Sequence, residues 1–235
     1  MKLPFLQREP RRRALLVVTG HDRVGSTARR TGLWLSDVTR AYRALQAAGY
    51  DCDLLSPRGG RAPVDERSFD LRDPDNQAFL ENGHTASALG ATLSPRGVLP
   101  GEYRVVFFAG GHGALTDLRA DGETASVALD VYNRGGVLAA NGHGVAALLA
   151  LAEKDGAILR GREVTAFSAA EETLMLMRAH VPYLLETELR EAGALYTSSD
   201  PFTPHVRSSG RVVTGQNPQS CVAVAEAVLA ADTLG

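Results

Sequence analysis

Cysteine is nearly absent: Cys52 and Cys221 are the two in 235 residues. Two distant cysteines build no disulfide framework and give no metal-ligand spacing. So few thiols fit a reducing compartment, and the cytoplasm is the simplest expectation. Long apolar runs are missing as well, and none approaches the length that spans a bilayer. The opening stretch MKLPFLQREPRRR is too polar for the apolar core of a secretion signal. Neither sign of charge dominates, since 25 basic and 27 acidic residues leave a net charge of -2. That balance favours neither nucleic acid nor an anionic membrane as a partner. The spacing G-x-G-x-x-G and a Walker sequence are both absent, so NAD, FAD and other cofactors are not expected. His84, His112, His143, His180 and His205 include no short-spaced pair, so no metal site is expected either.

What is present is an ordinary globular composition, 44% hydrophobic and 22% charged, ample for a core. Residues 1–12 read as a loose basic extension and 13–235 as a single domain. Short apolar runs alternate with helical spacings. Strands are expected at Ala14–Thr19, Tyr50–Leu55, Arg104–Ala109, Val137–Ala140, Glu163–Phe167 and Arg211–Thr214. Helices are expected over 33–48, 124–134, 145–152, 171–177 and 183–191, with a last one from Pro218 to about Ala231. An irregular excursion over 57–100 is expected to carry short helices near 75–82 and 86–90. This alternation predicts an α/β fold, an open parallel sheet with helices on both faces and an inserted irregular segment.

In such sheets the ligand site lies beyond the carboxyl ends of the strands. Three segments fall there: the polar loop 20–31, Gly110-Gly111-His112-Gly113, and Asn141-Gly142-His143-Gly144. Consecutive amides in the first glycine-rich stretch suit an oxyanion. The second is a strand-to-helix elbow, a common mount for a nucleophile. Asp37 lies on the first helix and can face that elbow. Cys221, near the start of the last helix, reads as a small buried residue, and Cys52 as an inert strand residue. Glu171 and Glu172 read as acids favouring a helix amino terminus, with a carboxylate supplied to the cleft or a dimer contact as the alternative.

The segments TGLWLSDVTRAY, FFAGGHGALTDL, GGVLAANGHGVAALL and GRVVTGQNPQS, in this order, resemble the ThiJ/PfpI superfamily on the class I glutamine amidotransferase-like fold. Within it, the chain is most similar to the glutathione-independent glyoxalases (glyoxalase III) and holding chaperones of the heat-shock type. The resemblance runs from about residue 14 to 231. It implies a flavodoxin-like sheet and a homodimer. It also implies a catalytic set of an elbow cysteine, the histidine after it and a glutamate from the first helix. The family's elbow A-x-C-H-G becomes Ala140-Asn141-Gly142-His143-Gly144. The cysteine position is thus Gly142, His143 is retained, and the glutamate position falls on Asp37, or on Ser36 if the register slips by one.

Glycine carries no atom that can attack a carbonyl, and Asn141 is a poor nucleophile. The sequence therefore predicts a pseudoenzyme or stress protein that binds a small polar or carbonyl-type ligand. The pocket would be formed by His143, Asp37, Gly110, Gly111, His112, Gly113, Asn141 and Gly144. Two alternatives stand beside it. One is a glyoxalase, lyase or hydrolase with water-based chemistry at Asp37 and His143; the other is a chaperone that holds unfolded client proteins.

Overall fold

The computed structural model describes residues 12–233. Six strands form the main sheet: β1 (Arg12–Val17), β2 (Tyr50–Leu55), β3 (Tyr103–Phe108), β4 (Val137–Asn141), β7 (Val206–Ser209) and β8 (Val212–Gly215). Their order is β2-β1-β3-β4-β8-β7, parallel throughout except for the β7–β8 hairpin at one edge. Two further strands, β5 (Glu163–Val164) and β6 (Leu195–Tyr196), make a separate parallel pair.

Successive side chains of a strand point to opposite faces, and here both faces are apolar. Leu15, Val17, Val106, Phe108, Leu138 and Ala140 face one way. Ala14, Leu16, Val105, Phe107, Val137 and Ala139 face the other. A sheet buried on both sides explains why its strands read as unbroken apolar runs. The first face is covered by α4 (Asp117–Ala120), α5 (Gly122–Asn133), α6 (Ala146–Lys154) and α8 (Leu185–Glu191). The second is covered by α1 (Leu35–Ala47), α2 (Pro74–Glu81), α3 (Gly83–Gly90) and α9 (Cys221–Asp232). The short α7 (Ala169–Leu174) stands apart from these layers and reaches the site described below.

The expected excursion over 57–100 does contain two short helices, α2 and α3. Other expectations need correction. Residues 1–11 lie outside the described residues, and Arg12, placed in the extension, already begins β1. The strand expected over Glu163–Phe167 ends at Val164, because the Thr165 amide donates to the Thr214 hydroxyl at 2.9 Å instead of to a neighbouring strand. The helix expected at Glu171–Met177 begins earlier, at Ala169, under a capping box. There Ser168 Oγ accepts the Glu171 amide and the Glu171 carboxylate accepts the Ser168 amide. Loop 20–31 is displaced from the main site. Gly20, Asp22, Arg30 and Thr31 line a different cavity of about 820 Å³.

Candidate functional site

The site is built where β3 and β4 end and α1 begins. After β3 the chain turns through Gly111, whose φ of 121° and close approach to α1's approach segment exclude a side chain. A Cβ there would lie 2.8 Å from Leu33 Cα. After β4, Asn141 is still extended and Gly142 has φ 55°. That left-handed conformation suits glycine and strains other residues. The elbow geometry is therefore kept without a side chain at its tip. A Cβ at Gly142 would meet nothing nearer than Asp37 Oδ2 at 3.9 Å and Gln216 O at 4.0 Å.

Asp37, in the first turn of α1, is fully buried. Its Oδ2 accepts the Gly110 amide at 3.0 Å and Asn141 Nδ2 at 2.9 Å, while its Oδ1 has no partner. Burial penalises the anion and raises the pKa to about 6, although both hydrogen bonds and the charges of His143 and Arg40 work the other way. Ser36, the other register, also lines the cavity, but Asp37 is the residue tied to both turns.

His143 Nε2 donates to Glu172 Oε1 at 2.8 Å, and His112 Nε2 donates to Glu172 Oε2 at 3.2 Å. One buried carboxylate on α7 thus clamps two imidazoles whose ring centroids are 4.0 Å apart. Burial alone would raise the Glu172 pKa; the hydrogen bonds from both histidines outweigh it and bring it down to about 2. His112 is lowered to about 4, first by burial and then by the neighbouring His143. Arg67 Nη2, a donor 3.3 Å from His112 Nδ1, fixes the remaining tautomer of that ring with its proton on Nε2. His143 Nδ1 has no hydrogen-bond partner among the described residues, and His143 lines the cavity.

His112, His143 and Glu172 also place three possible ligand atoms within 4.8 Å of one another. A cation there would have to break both histidine–carboxylate bonds and sit beside the Arg67 guanidinium. The donor set is better matched to holding imidazole orientation than to binding a metal.

The cavity between these groups measures about 400 Å³, within the range of small-molecule pockets. Trp34, Phe167, Met175 and Phe202 supply its apolar wall, and Arg40 is also among the lining residues. Arg40 is paired with Asp73 at 2.8 Å. Of the residues named from sequence, Asp37, Gly110, Gly111, His112, Gly142 and His143 line this cavity. Asn141 stands behind it, holding Asp37 and the Asn217 carbonyl. Gly113 packs on Thr19 and His21, and Gly144 on the backbone at Phe108, so neither faces the cavity. Gly110 spends its amide on Asp37 rather than on an oxyanion.

Glu172 reaches the site, which follows the less favoured reading of the Glu171-Glu172 pair, a carboxylate supplied to the cleft. The Glu171-Glu172 pair reads as two helix-start acids, and Glu171 behaves as one. Adjacent helical residues point about 100° apart, so a capping Glu171 turns its neighbour elsewhere, here towards the histidines. Neither cysteine lines the cavity. Cys221 is fully buried with Sγ 3.3 Å from the Asp37 carbonyl, and burial pushes its pKa well up. Cys52 on β2 is raised to about 12, first by burial and then by Asp53 and Asp51.

Known proteins resemble this chain in sequence and in fold. The chain is 36% identical to the rapid encystment protein of Francisella tularensis, whose structure superimposes with a TM-score of 0.90 over 94% of this chain and 99% of that one. Glyoxalase III from Candida albicans superimposes with a TM-score of 0.84 at 25% identity, covering 94% of this chain and 97% of that one. A probable glutathione-independent glyoxalase of Schizosaccharomyces pombe is 33% identical over 68% of this chain and 75% of its own length. Residues 31–231 match the DJ-1/PfpI family model, and this chain belongs to that family.

Proposed function

We propose that the protein binds small carbonyl compounds of the 2-oxoaldehyde type, and that it has kept acid–base groups for them while lacking a covalent nucleophile. The observation that carries this reading is Gly142. It holds a nucleophile's backbone conformation, φ 55°, with open space where a side chain would project into the cavity. Around it stand a histidine clamped through Nε2, its Nδ1 without a partner among the described residues, and a buried carboxyl whose Oδ2 lies 3.9 Å from a notional Cβ at Gly142. Relatives named as glyoxalases suggest the carbonyl class of ligand.

The test is methylglyoxal consumption with lactate detection, for the protein and for Gly142→Cys. The parent is expected to stabilise thermally with methylglyoxal and to release no lactate from methylglyoxal alone. Gly142→Cys is expected to gain turnover at a cost of about 1–2 kcal/mol for a side chain at positive φ. Lactate formation by the parent at a rate matching Gly142→Cys would sink the reading. A second reading, a surface that holds unfolded chains, draws on the exposed Leu174 and Leu176 beside the site, 62% and 79% accessible. It predicts that aggregation of a client is suppressed equally by the parent and by His143→Ala.

A further inference from the structure

We propose that the sulfur missing from the elbow is brought by the substrate: the site isomerises the hemithioacetal formed between a 2-oxoaldehyde and a small free thiol. This inference rests on the carbonyl-binding reading above and names the substrate within it.

Four observations converge. The space beyond Gly142 is open to ordinary contact distance, with Asp37 Oδ2 3.9 Å from a notional Cβ. A sulfur entering from the cavity can occupy the place of a side-chain atom without displacing protein. Second, no cysteine among the described residues can swing in, because Cys221 is buried on the Asp37 carbonyl and Cys52 lines a different cavity. Third, the acid–base groups are still held in place. Glu172 fixes His143 through Nε2 and leaves Nδ1 as the basic nitrogen. Asp37 is held by Gly110 and Asn141 through Oδ2, the same oxygen that stands 3.9 Å from the notional Gly142 Cβ, while its Oδ1 is buried without a partner. Fourth, the wall of Phe167, Met175 and Phe202 suits a thioether-like group, whereas Arg40, already paired with Asp73, is the one cation among the lining residues. The thiol that fits is short and carries at most one carboxylate. A bulky peptide thiol with two carboxylates is not matched.

The chemistry closes without an external oxidant. A thiol adds spontaneously to the aldehyde carbon, giving RS–CH(OH)–CO–R′. With Asp37 in its protonated form, His143 Nδ1 removes the proton from that carbon, and the electron pair left behind forms the C1–C2 double bond of an enediol as Asp37 protonates the C2 oxygen. The imidazolium then returns the proton to C2, while the C1 hydroxyl gives its proton back to Asp37 and becomes a carbonyl. The product is RS–CO–CH(OH)–R′. The C–S bond is never broken, C1 is oxidised and C2 reduced, and both residues end in their starting states.

The experiment follows thioester formation by ultraviolet absorbance. Methylglyoxal is pre-equilibrated with 2-mercaptoethanol, with mercaptoacetate or with glutathione, and compared with methylglyoxal alone. The parent is expected to form thioester with the two small thiols, to do so poorly with glutathione, and to be silent without thiol. His143→Ala is expected to lose about 100-fold or more, the usual weight of a general base. Gly142→Ala, whose methyl group takes the sulfur's space, is expected to lose most of the rate while keeping methylglyoxal-induced stabilisation. Gly142→Cys is expected to act on methylglyoxal without added thiol. If that variant is active while the parent forms no thioester with any thiol, the thiol inference is overturned and the carbonyl-binding reading survives. If Gly142→Cys is inert and methylglyoxal stabilises neither protein, both fall.

Discussion

At the scale of single residues, one carboxylate does two tasks. Glu172 accepts from His143 and His112 through its two oxygens, and a glutamine can reproduce only one of those bonds. Glu172→Gln presents an NH2 group to one imidazole, which must turn away or reverse its tautomer. Two imidazole Nε2–H signals, protected from exchange in the parent, are expected in proton NMR, and one of them should vanish in Glu172→Gln. Placed on Gly142→Cys, the same change is expected to reduce turnover by about 100-fold. Two intact signals in the glutamine variant would refute the clamp. Much of this residue-level picture can be read in the sequence. The order Asn141-Gly142-His143-Gly144 shows the elbow with a glycine at its tip, and Asp37 falls on the helix turn that faces it. Which of Glu171 and Glu172 enters the cleft is not legible, because nothing local separates the two. Only the fold brings α7 against two histidines that lie 31 residues apart in the chain.

At the scale of elements, strands buried on both faces announce themselves and strands at an edge do not. Leu-Leu-Val in β1 and Val-Val-Phe-Phe in β3 have no other reasonable reading. β7 is Val-Arg-Ser-Ser, with a single apolar residue, and it exists because the turn at Gly210, φ 62°, folds it back on β8. The start of α7 differs from the expected Glu171 because of a capping box, Ser168-Ala-Ala-Glu171, that the apolar spacing alone does not reveal. That cap holds more than its helix: Glu171 further accepts from the Phe202 amide at 2.9 Å and from Asn217 Nδ2 at 2.8 Å. Ser168→Ala is expected to cost about 1 kcal/mol. For a chain of this length that is a fall in Tm of roughly 2–4 °C, readable by calorimetry. An unchanged Tm would show that the neighbouring bonds to Glu171 hold α7 without the serine.

At the scale of the whole molecule, the two site carboxylates pull stability in opposite directions with pH. Asp37 has a folded pKa of about 6 against an ordinary 3.8. Between those values the folded chain keeps a proton that the unfolded chain has released, so stability falls as pH rises from about 4 to about 6. The full cost, on the order of 3 kcal/mol, applies at neutral pH. Glu172 has a folded pKa of about 2 against an ordinary 4.5. Its contribution is complete above 4.5 and is lost as pH falls towards 2. Asp37→Asn removes the first effect and leaves the second. Its amide oxygen can still accept from Gly110 and Asn141, and its NH2 takes the place of the unpartnered oxygen. The variant's Tm is therefore expected to exceed the parent's at pH 7–8 by several degrees. The difference should shrink to nothing as pH falls below about 3, where Asp37 is protonated in both folded and unfolded chains. A Tm difference independent of pH would mean that Asp37 is not the group that ionises at the site's expense. The same substitution removes the acid required for hemithioacetal isomerisation. A variant more stable at neutral pH but unable to form thioester would place stability and function in opposition at a single buried carboxyl.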